Sequence, residues 1–130
     1  MADRPHLGSL NLAAQGSHKR VLFVCSGGML RSATSAHFMA AVGDWNTRNC
    51  GTMSSALPPM HANLMEWAEV IYCMESEHAQ AVTNQFPWAQ AKVKVLNIKD
   101  KYFYRDPALI NLLHEIFEKE IAEAASHVDP

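Results

Sequence analysis

Two short, wholly apolar runs stand out along the chain. Residues 21–25 (VLFVC) are rich in β-branched and aromatic side chains, the pattern of a strand buried on both faces of a parallel sheet. Residues 70–74 (VIYCM) repeat that pattern. Residues 92–98 (KVKVLNI) alternate and then turn apolar, which predicts a third strand, and 49–52 (NCGT) predicts a very short one. Between these runs the periodicity is helical. Residues 31–42 (RSATSAHFMAAV) set Ala33, Ala36, Met39 and Ala40 at helical spacing among good helix formers, with Gly43 as the stop. Pro59 is placed to open a helix that runs to Trp67. Ser76 is placed to cap another that runs to about Phe86, where Pro87 prevents continuation. Residues 108–125 carry Leu109, Leu112, Leu113, Ile116, Phe117 and Ile121, the stripe of one amphipathic helix. Residues 1–18 lack periodicity and are expected as a loose arm ahead of a single domain, 19–130.

Strands alternating with helices at this spacing predict an α/β domain with a parallel sheet and right-handed crossovers. Ligands collect at the carboxyl ends of such strands, and Cys25 stands at one of them. A chain of 130 residues can bury a core without staples. Its net charge of -2, with no dense Lys/Arg run, argues against nucleic acid or an anionic membrane as partner. No apolar stretch approaches the roughly 20 residues that span a bilayer. The first residues lack the pattern of a secretion signal. Three widely spaced cysteines make no disulfide framework, so a reducing cytoplasm is the expected setting. Seven histidines show no metal-ligand spacing; they are expected on the surface, and no metal or cofactor is implied. Met53, Met60, Met65 and Met74 read as core filler, as do Cys50 and Cys73.

The chemistry concentrates in residues 25–32 (CSGGMLRS). A strand ends, the backbone loops, and a helix begins near Arg31. Gly27 and Gly28 permit positive φ, so successive N–H groups from Ser26 through Met29 and Leu30 to Arg31 can turn inward around an anion. The helix N-terminus adds partial positive charge, and Arg31 adds a planar fork of donors for a phosphoryl group. A thiol at the base of such a cradle is expected as the thiolate, with Ser32 placed to donate to it. A tetrahedral dianion would then sit over a nucleophile, the arrangement for phosphoryl transfer through a phosphocysteine.

The run VLFVCSGGMLRSATSA resembles the signature of the low-molecular-weight protein tyrosine phosphatases. The resemblance implies a three-layer αβα fold around a four-stranded parallel sheet of order 2-1-3-4, with the phosphate loop after strand 1. It assigns the nucleophile to Cys25, the phosphate-binding arginine to Arg31 and support of the thiolate to Ser32. That family commonly has an Asn that braces the loop where this chain has Gly28. It also implies hydrolysis of phosphotyrosine or small aryl phosphates, with a phosphorylated small molecule or phosphotyrosyl protein as partner and inorganic phosphate as product.

Such a reaction needs an acid for the leaving oxygen. Residues 98–107 (IKDKYFYRDP) offer Asp100 and Asp106. Asp100 follows the third long strand directly and fits the register of the family's acid. Asp106 precedes Pro107 and also reads as a helix N-cap. Tyr102 or Phe103 is expected to wall the cleft. Two other functions fit the same fold. One is a non-catalytic module that binds phosphate or phosphoproteins. The other is arsenate reduction, which needs two further relay cysteines; Cys73 is strand-embedded and Glu75 stands where the first relay thiol would be.

Overall fold

The apolar run that begins at Val21 becomes the strand at the heart of the molecule, paired on both sides. The computed structural model describes residues 18–126; the arm expected over 1–18 lies outside the described residues except for His18. In chain order the elements are β1 (Arg20–Cys25), α1 (Arg31–Val42), β2 (Asn46–Gly51), α2 (Ala62–Trp67), β3 (Val70–Cys73) and α3 (Ser76–Gln85). A 3-10 turn (Pro87–Lys92), β4 (Val93–Val95), α4 (Pro107–Ile116) and α5 (Glu118–Ser126) follow. All strand pairs are parallel, as the alternation of strands and helices predicted, and the order is β2-β1-β3-β4, as the resemblance implied.

Side chains alternate across β1, so one strand feeds two cores. Val21, Phe23 and Cys25 face α1 and α4, where they meet Met39, Leu109, Leu113 and Phe117. Leu22 and Val24 face the other way, toward Leu64 and Met65 of α2 and Val82 of α3. On the first face Phe23, Trp45, Tyr72 and Phe117 form an aromatic cluster in stacked and edge-on contacts. Each fully buried large apolar side chain contributes about 1.5–3 kcal/mol, which fixes how α1 and α4 lie on the sheet. Among the described residues no helix is long and apolar enough to cross a membrane.

Several boundaries differ from expectation, each for a local reason. β2 starts at Asn46 rather than near residue 49, and its sequence, NTRNCG, is polar although it is mostly buried. Two of its polar side chains find partners inside: Thr47 Oγ1 donates to the Ala36 carbonyl and Asn49 Nδ2 to the Gly28 carbonyl, each at 2.7 Å, whereas Asn46 Oδ1, Arg48 Nε and Asn49 Oδ1 are buried without a hydrogen bond. α2 starts at Ala62 because Pro59 instead bridges to Gly51 as an extension of the sheet edge. α3 is capped from Glu75 rather than Ser76. β4 has only three residues. The stripe over 108–125 is broken at Phe117 into α4 and α5, because Phe117 turns into the aromatic cluster.

Candidate active site

β1 delivers Cys25 to the carboxyl edge of the sheet, opposite Gly51 of β2. Beyond it the chain leaves the sheet, and four successive carbonyls are engaged from outside. The Cys25, Ser26 and Gly27 carbonyls accept from the N–H groups of Thr52, Met53 and Leu57 at 2.9, 3.0 and 3.0 Å. The Gly28 carbonyl accepts from Asn49 Nδ2 at 2.7 Å. A trans peptide points its C=O and its N–H in opposite directions. Four carbonyls bonded outward therefore turn the amides of Ser26, Gly27, Gly28 and Met29 toward the inside of the loop. The Gly28 amide demonstrates this, donating to Cys25 Sγ at 3.2 Å.

Two glycines make the turn possible. Gly28 sits at φ 74°, and a Cβ there would lie 3.0 Å from Gly51 N and 3.1 Å from the Leu57 carbonyl. At Gly51 a Cβ would lie 2.6 Å from Gly28 N and closer still to the Ser26 carbonyl. The loop thus rests backbone to backbone on β2. Gly27, expected at positive φ, does not adopt it, and a Cβ there meets nothing within 4 Å.

The sulfur of Cys25 lies 3.0 Å from Ser32 Oγ. α1 begins at Arg31 with Leu30 as N-cap and no capping side chain. Arg31 is only 2 % exposed and is held by two acceptors on Nη1: the Glu75 carboxylate at 2.6 Å and the Ile98 carbonyl at 2.8 Å. Across the opening, Asp100 Oδ1 stands 3.8 Å from Arg31 Nε. Cys25, Ser26, Gly27, Arg31 and Asp100 line one cleft of about 310 Å³, with Met29, Leu30 and Met53 as its apolar members.

The two acidic candidates are separated. Asp100 is 66 % exposed at the cleft. Asp106 is the N-cap of α4, accepting from the Ala108 amide at 3.0 Å, and does not line the cleft. Tyr102 and Phe103 are also absent from the lining. Tyr102 packs against the core, and Phe103 is exposed. The apolar wall comes instead from Met29, Leu30 and Met53. Met53, expected in the core, is 52 % exposed, whereas Met65 and Met74 are buried.

Three residues of the site carry no sequence signal of their own. Asn49 supplies from β2 the brace that position 28 lacks. Glu75 holds Arg31. His78, expected on the surface, is 1 % exposed, and its Nε2 lies 2.9 Å from Ser26 Oγ. Burial, and next the Arg31 charge, lower the His78 pKa from its ordinary value against the pull of Glu77, Glu75 and Asp100. Cys50 and Cys73 are buried on the other face of the sheet. Burial pushes the Cys50 thiol up and raises Cys73 to about 12, so neither is a ready nucleophile.

No family model matches the chain, and no curated protein does. Solved structures do. The YwlE arginine phosphatase from Geobacillus stearothermophilus superposes with a TM-score of 0.65 at 18% identity, over 86% of this chain and 99% of that one. The tyrosine phosphatase Wzb from Escherichia coli K30, in complex with phosphate, gives a TM-score of 0.66 at 15% identity, over 82% and 98%. Wzb from Vibrio vulnificus, in complex with benzylphosphonate, gives 0.63 at 19% identity, over 85% and 99%. A low-molecular-weight protein tyrosine phosphatase from Bacillus subtilis also matches, with a TM-score of 0.59. Strand order, the loop after β1 and near-complete coverage of these structures agree: this chain has the fold of the low-molecular-weight protein tyrosine phosphatases.

Proposed function

We propose that the protein is a cysteine-dependent phosphatase acting on phosphotyrosine or other small aryl phosphate monoesters. One observation carries the reading: the carbonyls of residues 25–28 are bonded outward, which turns the amides of residues 26–29 inward, and the Gly28 amide donates to the Cys25 sulfur. A concavity of amides fits a tetrahedral oxyanion, and the fixed Arg31 adds charge to it. The phosphate and benzylphosphonate bound by the Wzb neighbours support a ligand of that class.

In the reaction, Cys25 Sγ attacks phosphorus and the bond to the aryl oxygen breaks. Asp100 gives its proton to the departing phenolate. The amides and the free edge of the Arg31 guanidinium hold the equatorial oxygens as charge builds. Water then attacks the phosphocysteine, Asp100 takes a proton from it, and the S–P bond breaks to release inorganic phosphate. Ser32 donates to the returning thiolate. Met29, Leu30 and Met53 offer an apolar surface to a flat leaving group. Because Cys25 works as a free thiol, the reading sets the enzyme in a reducing compartment.

Turnover of para-nitrophenyl phosphate tests this. The wild type hydrolyses it, and Cys25→Ser abolishes turnover while still binding inorganic phosphate. A wild type that binds phosphate without turnover overturns the phosphatase reading in favour of a binding module. A strong preference for phosphoarginine, as the neighbouring arginine phosphatase implies, would move the substrate and keep the mechanism.

A further inference from the structure

His78 lies at the third position of α3, and the chain places it against the anion loop from 52 residues away. Its ring is fixed at both nitrogens. Nδ1 accepts from the Glu75 backbone N–H at 3.0 Å, which reaches back across the first turn of α3. A nitrogen that accepts carries no proton, so in the neutral ring the proton sits on Nε2. Nε2 faces Ser26 Oγ at 2.9 Å and therefore donates to it.

The consequence falls on Ser26. A hydroxyl has one proton to give and two lone pairs to accept with. His78 takes up the accepting side. Ser26 is the residue after Cys25 and lines the cleft. We propose that His78 is a positioning residue that orients the Ser26 hydroxyl proton into the cradle, making it a side-chain donor to a bound phosphoryl oxygen beside the backbone amides. The inference rests on the phosphatase reading, since it assumes that the cradle holds phosphate.

The same turn of chain braces the other arm of the site. Glu75 fixes the His78 ring through its N–H and holds Arg31 Nη1 through its carboxylate at 2.6 Å. One segment, 75–78, thus sets Ser26 and Arg31 together. The charged groups around the ring are Arg31 of α1, Glu75 and Glu77 at the start of α3, and Asp100 of the loop after β4. Burial and Arg31 favour the neutral ring that this geometry needs.

The test compares substitutions that keep one nitrogen of the ring and lose the other. A Gln amide reaches the place of Nε2, and an Asn oxygen stands near Nδ1. The readout is protection of Cys25 from iodoacetate by inorganic phosphate, alongside kcat and KM for para-nitrophenyl phosphate. Ser26→Ala and His78→Asn each weaken phosphate protection on the order of tenfold, the size of one hydrogen bond to a charged group. His78→Gln restores most of it, and Ser26→Ala with His78→Asn is no worse than Ser26→Ala alone. Additive losses, or full phosphate affinity in His78→Asn, overturn the inference while the phosphatase reading stands. A wild type with no phosphate protection at all sinks both. Nitrogen-15 spectra of the wild-type imidazole decide without a variant: the proton on Nε2 is expected, and a proton on Nδ1 overturns the proposal.

Discussion

The two loops that meet at the cleft are built in opposite ways. The loop over residues 25–31 has carbonyls tied to the segment after β2 and to Asn49 of β2, and it rests on Gly51 with no room for a methyl group. The loop over residues 97–106 is anchored at its ends. Ile98 N bonds the Met74 carbonyl at 2.7 Å, Arg105 N bonds Thr34 Oγ1 at 2.8 Å, and Tyr104 Oη lies 2.7 Å from His37 Nδ1. Between those anchors Asp100 reaches solvent. In the proposed reaction the difference separates two tasks. Binding a compact anion needs donors fixed before the ligand arrives, which a braced backbone provides without further ordering. Delivering a proton to leaving groups of varied shape needs a carboxyl group on the rim.

That contrast ranks the outcomes of mutation. Among substitutions that keep Cys25, Arg31→Lys is expected to have the largest effect, a loss of about 10³–10⁵-fold in turnover, because a point charge replaces a bidentate fork. A steady-state assay checks it, and a modest loss would mean that the amides alone carry the transition-state charge. Next comes the outer loop: Asp100→Asn costs about 10²–10⁴-fold in kcat and removes one limb of the pH profile. Asp106→Ala leaves kcat near wild type and instead lowers stability by about 1 kcal/mol through loss of the α4 cap, read as a fall in melting temperature. The reverse pattern would transfer the acid role to Asp106. Last come the glycines, whose effects fall on stability and binding and not on the chemical step. Gly51→Ala lowers stability by about 1–3 kcal/mol by pushing β2 off the loop, and it weakens phosphate protection. Gly27→Ala is tolerated in both assays. Equal tolerance at both glycines would show that the inner loop is not held by that close approach.

Much of the fold was legible in the sequence because its signals are local. VLFVC and VIYCM are uniformly apolar, and a strand buried on both faces requires that. β2 was underread for the opposite reason: NTRNCG is polar, and the acceptors that Thr47 Oγ1 and Asn49 Nδ2 find inside come from segments that only the fold brings next to it. The aromatic residues of 102–104 read as cleft wall, yet Tyr102 turned to the core and the wall fell to Met29, Leu30 and Met53. Hydrophobicity says that a side chain seeks apolar neighbours and is silent on which ones the loop allows it to reach.

By itself the sequence pointed to the loop over residues 25–32 as the proposed anion cradle, because cysteine, glycines, arginine and serine lie within eight consecutive residues. Only the tertiary structure decided what holds that loop and what shares it. Asn49, Glu75 and His78 reach it across separations of 21, 44 and 52 residues. The physical reason is that a hydrogen bond depends on distance in space. Parallel strands, joined by crossovers, bring the ends of β1, β2 and β3 side by side whatever lies between them.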